Sequence, residues 1–462
     1  DYNFSSGSRG RGNLSSTANP YFLFPQIYNF RYNIYSSEWP VANRAIELYL
    51  QKKSENEGWE RQINGLSNNE KANLLLEKHT FKELLADVEQ RNLQNNIVGL
   101  EASRLFARSE INMGVDAFRD SLYAMLKRNT FLNIKFENML DTLGEMSRTD
   151  LYSYLKEWEQ LTPLPFYSIG EPELTKVVNK GGEEFFVLKV LVSNNSDYDG
   201  IIQMNVLQNG WWYQPMEDPR ARKKVEIAAH TSKEFVSVWE EQIRDVEINT
   251  MVSGNLPYMI RQSIGNVKQE RNKIVKDTIY TLPESSLEMP GEVIVDNEDS
   301  TLFVLSTPAV VGLLPKWLDK VEDTSFKYSG ISWWRAPLQW TATTNAKYYG
   351  KYIRSAYVIK SGDGSQTATW KIPVPEAGQY ELYYHVFKDD ELRWNDRLQG
   401  EYHFRVAYDS EMEDAYINLR KANEGWEQLG TYYFSADTVR VVLTDECKLR
   451  SVTADAVKIV KR

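Results

Sequence analysis

The apolar periodicity of this chain changes once, near residue 167, and that change bounds the folds open to it. Before it, apolar residues recur three and four positions apart. Leu122, Met125 and Leu126 form one stripe and Phe136, Met139, Leu140 and Leu143 another, the repeat of a helix with one buried face. Ser147-Arg-Thr-Asp150 reads as a capping box that opens a further helix. Leu151, Leu155 and Trp158 lie on its inner face, and Pro163 and Pro165 end it. Leu74 to Leu76, with Leu84 and Leu85, mark an earlier helix pair. After residue 167 the period becomes two. Phe186, Leu188, Val190 and Val192 alternate with Phe185, Val187 and Leu191, and Ile202, Met204 and Val206 alternate with polar residues. Val225 and Ile227, then Phe235 to Trp239, flank a polar turn expected at Thr231-Ser-Lys233. Short strands at hairpin spacing make a β-sandwich.

The alternation returns near the end of the chain. Ala368-Thr-Trp370-Lys-Ile372 and Tyr380 to Val386 read as strands around Pro375-Glu-Ala-Gly378. Tyr402 to Val406, Ala415 to Leu419, Gly430 to Phe434, Val439 to Leu443 and Val457 to Val460 continue them. The expected fold is therefore multidomain α+β, an N-terminal all-α domain followed by two antiparallel β-sandwich domains. The boundaries read as a Ser/Gly-rich flexible linker over 1–18, the helical domain over 19–166 and a β-sandwich over 167–253. A connector over 254–345 with a Trp-rich piece, Ser332 to Trp340, leads to the second β-sandwich over 346–462.

Charge and cysteine content narrow the function. Acidic residues outnumber basic ones 64 to 54, for a net charge of -10. Nucleic acid is thereby excluded as the expected partner, since phosphate binding needs a basic face. The single cysteine, Cys447, permits no internal disulfide and no Cys-based zinc site. No apolar run approaches the roughly 20 residues that span a bilayer. The chain starts with Asp1 rather than Met, which suggests a piece of a longer precursor whose N-terminal part carries targeting or a membrane anchor.

No catalytic motif stands out. A catalytic zinc commonly uses H-E-x-x-H on one helix face, and His79, His230, His385 and His403 are far apart and outside any such pattern. There is no G-x-S-x-G turn for a serine nucleophile. Asp296-Asn-Glu-Asp299 is an oxygen-rich turn that could hold calcium, but it lacks a twelve-residue loop pattern. No cofactor, no metal and no catalytic residue is assigned. Aromatic residues are abundant: Trp211-Trp212-Tyr213, Trp333-Trp334, Trp340, Tyr383-Tyr384, Trp394 and Trp426. Flat rings suit the C–H face of a pyranose, or a domain interface.

Two stretches resemble known families. Ser361-Gly-Asp-Gly364, Ala377-Gly-Gln-Tyr380, Glu424-Gly-Trp426-Glu-Gln-Leu-Gly430-Thr-Tyr-Tyr-Phe434 and the closing Thr453-Ala-Asp455-Ala-Val457 resemble the golvesin / xanthan lyase C-terminal module, described as carbohydrate-binding-like. Gly99 to Phe106, Met113 to Phe118, Thr149-Asp-Leu151 and Trp158 to Pro165 are similar to the helical end of gluzincin aminopeptidases. Ile34 to Pro40 is similar to relatives fused behind a membrane permease. That family's zinc motif and catalytic glutamate have no counterpart here, so the resemblance implies no activity for this chain.

The reading that follows is a non-catalytic, extracytoplasmic binding or scaffolding region at the cell envelope, membrane-associated through sequence outside this chain. Its partner would be a glycan or a protein. Its rivals are a zinc aminopeptidase whose catalytic residues lie elsewhere and a secreted glycan-degrading enzyme. Ligand contacts are expected from Tyr383, Tyr384, Arg393 and Trp394, with a neutral or cationic ligand favoured by the net charge. Tyr383 and Tyr384 point to opposite faces of a strand, so only one of them can be core. Trp426 and Leu429 are expected to be structural, with Trp426 buried.

Overall fold

The computed structural model describes residues 32–51, 57–207, 218–265, 267–271, 275–285, 287, 291–306, 326–331, 335–388, 400–409 and 411–462. The flexible linker read over 1–18 lies outside them. Among the described residues, eight α-helices run from Ala42–Leu50 to Leu151–Lys156. The longest, Gln94–Met113, packs against Ala42–Leu50, Asn68–Leu76, Val115–Arg128 and Phe136–Ser147. Leu122, Leu126, Phe136, Met139, Leu140 and Leu143 are buried and Met125 packs partly against them, as the helical stripes require. An aromatic knot closes this core. Trp158 meets Trp39 edge-on at 5.2 Å and Phe81 at 4.6 Å.

The capping box expected at Ser147 is not there. Ser147 ends the helix Phe136–Ser147, and its hydroxyl donates back to the Leu143 carbonyl at 2.8 Å. Arg148 adopts a left-handed conformation (φ +54°), which stops that helix. Asp150 then caps the next one by accepting from the Ser153 N–H at 3.0 Å. Among the described residues, two true capping boxes occur earlier, Ser67 with Glu70 and Thr80 with Glu83.

The first sandwich has two sheets. One orders Met259–Ser263, Asp245–Asn249, Gly200–Leu207 and Arg222–Ile227. The other orders Val267–Arg271, Glu173–Val178, Glu184–Asn194, Thr231–Trp239 and Thr278–Pro283, with Tyr167–Ile169 also on Glu184–Asn194. Leu188, Val190, Val192, Ile202, Val206 and Phe235 fill the space between them. The turn expected at Thr231–Lys233 lies inside a strand. The chain reverses instead at Ala228–His230, where His230 has φ +51°, and it crosses from one sheet to the other rather than closing a hairpin.

The segment read as a connector supplies strands to both sandwiches. Met259–Ser263, Val267–Arg271 and Thr278–Pro283 extend the first, while Glu292–Val295 and Phe303–Leu305 extend the second. Val267–Arg271 and Thr278–Pro283 are edge strands with mostly exposed side chains, so they carry no strict apolar alternation to read.

The C-terminal module has three antiparallel sheets. Four strands order as Glu292–Val295, Val457–Lys461, Gly378–Val386 and Gly425–Phe434. Five order as Phe303–Leu305, Thr367–Pro373, Thr438–Thr444, Glu401–Tyr408 and Glu411–Asn418. Three order as Thr341–Thr344, Ser355–Lys360 and Ser451–Ala454. Its core is aromatic: Trp370, Tyr380, Tyr384, Phe404 and Phe434 are fully buried.

One loop ties the regions together. Asn255 accepts from the Tyr167 N–H at 2.9 Å and donates to the Tyr167 carbonyl at 2.7 Å. Leu256 exchanges backbone bonds with Tyr352 and Arg354 at 3.0 and 2.6 Å. Asn73 of the helical region donates to the Met251 carbonyl at 3.2 Å. A Cβ on Gly254 would sit 2.1 Å from the Phe166 ring, so only glycine fits at this crossing.

Candidate ligand-binding cleft

Strand Gly378–Val386 builds the floor of the site. Tyr380, Leu382, Tyr384 and Val386 point into the core, and Glu381, Tyr383 and His385 stand on the other face. The strand places His385 opposite Trp426 and Tyr383 opposite Lys458, with a register irregularity between Leu382 and Tyr383. The outer face of this sheet thus carries Tyr383, His385, Trp426 and Lys458 side by side.

Beneath them lies a buried carboxylate. Asp455 is fully buried, and its Oδ2 lies 2.8 Å from His385 Nδ1. Both its oxygens accept from the Tyr349 N–H at 3.2 Å. Burial pushes the Asp455 carboxyl above its ordinary range, and the His385 contact acts against that shift. Arg354 attracts the same carboxylate and donates to the Ala346 carbonyl at 2.8 Å. Burial lowers its guanidinium to about 10, which still leaves it cationic at neutral pH.

Three rings close around this dyad. Tyr349 lies 5.8 Å from the His385 ring and 5.0 Å from Trp426, and His385 meets Trp426 edge-on at 5.2 Å. The Lys458 ammonium sits 4.9 Å from the Trp426 ring and 5.4 Å from Tyr383, and pairs with Glu292 at 2.8 Å. Gly350 lets the Tyr349 turn approach closely, since a Cβ there would fall 1.9 Å from the Ile353 carbonyl oxygen. The rings line an open cleft of about 1900 Å³, whose opposite wall comes from the first sandwich, including Glu171, Arg244 and Lys268. His385 Nδ1 is engaged by Asp455, so Nε2 is the ring nitrogen left to meet a ligand. The arrangement offers flat π faces, an oriented imidazole and charge, which suits binding of a polar molecule with an apolar face.

The residues expected from the sequence fare differently. Tyr384 is removed from the ligand contacts. It is fully buried, and its hydroxyl donates to the Thr453 carbonyl inside the core. Tyr383 is half-buried on the outer face and donates to Glu381 at 2.6 Å, a bond that raises its phenol above the ordinary range. Arg393 and Trp394 lie outside the described residues, as do Trp211, Trp212, Tyr213, Trp333 and Trp334. Trp426, expected in the core, is only partly buried and lines the cleft, while Leu429 packs partly against the core. The turn Asp296–Asp299 closes on itself, with the Asp299 N–H donating to the Asp296 carbonyl at 3.1 Å. Glu298 is held by Lys327 at 2.5 Å and Tyr328 at 3.1 Å. No group of three or more His, Cys, Asp or Glu that could hold a metal occurs among the described residues.

Sequence reasoning missed His385, Asp455 and Tyr349 as members of one site. Asp455 and Trp426 already stood in the motifs that carry the golvesin resemblance, and strand alternation puts His385 on the same face as Tyr383 without saying which face is the outer one. Nothing in the sequence marks Tyr349, which arrives through a turn far from the strand it meets.

Comparison with known proteins supports the module reading. Residues 334–461 match the family model for the Golvesin C-terminal domain. The strands Glu292–Val295 and Phe303–Leu305, which complete two of its sheets, lie ahead of that match. No curated protein matches the chain. Among solved structures, a Paenibacillus xanthan lyase is 17% identical, with 65% of this chain and 27% of that chain covered and a TM-score of 0.26. The CBM35 from Cellvibrio japonicus Abf62 is 12% identical, with 24% and 75% covered and a TM-score of 0.17. A Bacteroides uniformis beta-glucuronidase is 11% identical, with 68% and 32% covered and a TM-score of 0.18. Scores this low carry no structural argument, and the chain spans about a quarter of the lyase.

Proposed function

We propose that this chain is a non-catalytic, extracytoplasmic binding region whose C-terminal module takes a carbohydrate in the cleft over Tyr349, His385 and Trp426. The observation that carries the reading is this ring cluster, fixed from below by the buried Asp455. A pyranose laid on Trp426 or Tyr349 would bury its C–H face and offer its hydroxyls to His385 Nε2. The Golvesin C-terminal match over 334–461 supports the same reading. A helical region and a first sandwich bolted to the module would act as its scaffold.

The place of action belongs to the same proposal. The chain would work at the cell envelope as part of a longer, membrane-attached protein of the permease- or aminopeptidase-fused kind suggested by Gly99 to Phe106 and Ile34 to Pro40. No helix among the described residues is long and apolar enough to cross a membrane, so an anchor would lie elsewhere. A reading frame with membrane spans upstream of Asp1 supports this placement, and one with only a cleavable signal peptide there contradicts it. The binding claim is tested with the whole chain on a glycan array, beside Trp426→Ala. Glycan binding that the substitution removes supports the site. Binding that survives it places the ligand elsewhere, and no binding to any glycan removes the carbohydrate reading.

A further inference from the structure

The module has a second solvent-facing sheet, on the side away from the cleft. Trp370, Phe404 and Val441 enter the core from the five-stranded sheet, as Tyr384 and Val386 do from the four-stranded one. Their strand neighbours therefore point out on opposite sides of the module. Lys371, Arg440 and Arg405 stand on the outer face of the five-stranded sheet, on the adjacent strands Thr367–Pro373, Thr438–Thr444 and Glu401–Tyr408. Lys371 lies directly opposite Arg440. Arg440 faces Ala407, and Arg405 is the next outward residue along that strand, so the two arginines stand on a diagonal. Among the described residues, none of the three cations is held in an ion pair.

Like charges directly opposite across a strand pair destabilise a sheet, and an anion seated between them relieves that. The carboxylates on the same face do not. Asp414, opposite Arg405, turns to His403 Nε2 at 2.7 Å. Glu401 begins the strand that Ala407 nearly ends, roughly 20 Å away. That exceeds the Debye length of about 10 Å at 0.1 M salt, beyond which exposed charges are largely screened. The diagonal continues to a ring. Tyr416, paired with His403 one step past Arg405 and Asp414, is 57% exposed, and its ring stacks on His403 at 4.9 Å. Strands lie about 4.8 Å apart and residues about 3.4 Å along each, so the path from Tyr416 through Arg405 and Arg440 to Lys371 runs roughly 20 Å.

We infer that this face binds an anionic polysaccharide along that diagonal, with a sugar ring on Tyr416 and carboxylate or sulfate groups on Arg405, Arg440 and Lys371. The planar fork of an arginine matches paired anionic oxygens. The open face of Tyr416 favours a sugar over an acidic peptide, because a pyranose buries its C–H face on such a ring. Net charge alone, at -10, suggests a neutral or cationic ligand, but screening leaves the potential over a patch to its own residues. Neither Tyr416 nor any of the three cations lines the cleft, so this inference stands or falls apart from the reading above.

The test uses the whole chain with polygalacturonate beside its methyl ester, dextran sulfate beside dextran, and polyglutamate. Titration calorimetry at low and high salt gives the affinities. In at least one sugar pair the charged member is expected to bind about tenfold more tightly at low salt, with the advantage shrinking as salt rises. Which pair responds tells a carboxylate from a sulfate. Arg440→Gln should cut that advantage severalfold and leave the melting temperature of the free chain unchanged or higher, because it removes the like-charge pair. Tyr416→Ala should weaken the charged polysaccharide severalfold and leave polyglutamate as it was. Trp426→Ala, in the cleft, should leave the charged member's advantage intact. Equal binding of charged and neutral members, or no binding by any polymer, overturns the inference and leaves the cleft to the glycan array. An advantage that survives Arg440→Gln places the anion elsewhere, in the cleft if Trp426→Ala removes it, and overturns the inference as well. Polyglutamate binding as tightly as the charged polysaccharides, with Tyr416→Ala without effect, makes the partner an acidic protein and removes the sugar.

Discussion

The two sandwiches use buried polarity differently. The first fills its interior with aliphatic side chains, Leu188, Val190, Val192, Ile202 and Val206, around Phe235 and Trp239. It buries Asp245 and Glu247, the latter paired with Arg261 at 2.9 Å, and a second ionic contact faces outward as a bolt. Lys224 meets Glu110 of the helix Gln94–Met113, Glu110 also accepts from Tyr49 at 2.7 Å, and Arg108 pairs nearby with Glu226 at 3.1 Å. The C-terminal module is packed with aromatic rings whose polar atoms are answered inside the core. Trp370 Nε1 donates to the Asp455 carbonyl oxygen at 3.2 Å, and the Thr453 N–H donates to the Tyr402 hydroxyl at 3.0 Å. One of its buried charges, Asp455, reaches from that core to the cleft through His385. A buried carboxylate is costly unless fully partnered, so where it sits shows what the local structure is organised around. For Glu110 that is attachment of the first sandwich to the helices, and for Asp455 it is the orientation of a surface imidazole.

Substitutions can break this contrast. The largest effect is expected from Lys224→Ala, which leaves Glu110 buried without its cation. It should cost about 3–5 kcal/mol in chemical denaturation while ligand affinity of the folded fraction stays unchanged. Loss of binding without loss of stability would put Lys224 in the wrong category. Asp455→Asn weakens charge-assisted bonds to His385 and Tyr349 and should cost about 1.5–3 kcal/mol of stability together with most of the binding. A variant that binds normally would show that the imidazole needs no buried anchor.

Trp426→Ala is expected to sit below both. Its ring is only partly buried, so it should lose about 0.5–1.5 kcal/mol from its ring contacts, far less than a core tryptophan. A loss of about 3–5 kcal/mol would return Trp426 to the core role that the sequence suggested. The smallest effect is a change of slope. Burial, aided by repulsion from Asp455, holds the Asp296 carboxyl well above its usual 3.8. Its folded value is raised, so the stability it contributes is present at low pH and is lost as pH climbs from about 3.8 through the raised value. Asp296→Asn should therefore melt higher than the unsubstituted chain at neutral pH, with the gain fading toward pH 4. An equal difference at both pH values would show that Asp296 titrates normally.

Much of the architecture was legible because it rests on periodic burial. The stripe through Phe136, Met139, Leu140 and Leu143 and the alternation from Tyr380 to Val386 each report one buried face, and both faces are buried as read. Edge strands such as Val267–Arg271 were not legible, because an exposed strand imposes no alternation. The helix start was misplaced because the Ser-x-x-Asp spacing at Ser147 mimics a cap, while the stop at Arg148 depends on a backbone angle that the sequence does not display. The site was harder. Strand parity showed that only one of Tyr383 and Tyr384 could be core but not which, and Tyr384 turned inward. Tyr349 and Asp455 are 106 residues apart and meet only because the turn before strand Ser355–Lys360 folds over the chain end.

The central claim is that the rings over Asp455 hold the ligand. Titration calorimetry with the tightest-binding glycan tests it most directly, comparing the whole chain, Trp426→Ala, and Tyr433→Ala as a control on the same strand. Tyr433 is 63% exposed and does not line the cleft. The expected result is that Trp426→Ala abolishes measurable binding at unchanged secondary structure while Tyr433→Ala binds as the unsubstituted chain does. Undiminished binding by Trp426→Ala, or loss of binding in Tyr433→Ala alone, would contradict the account.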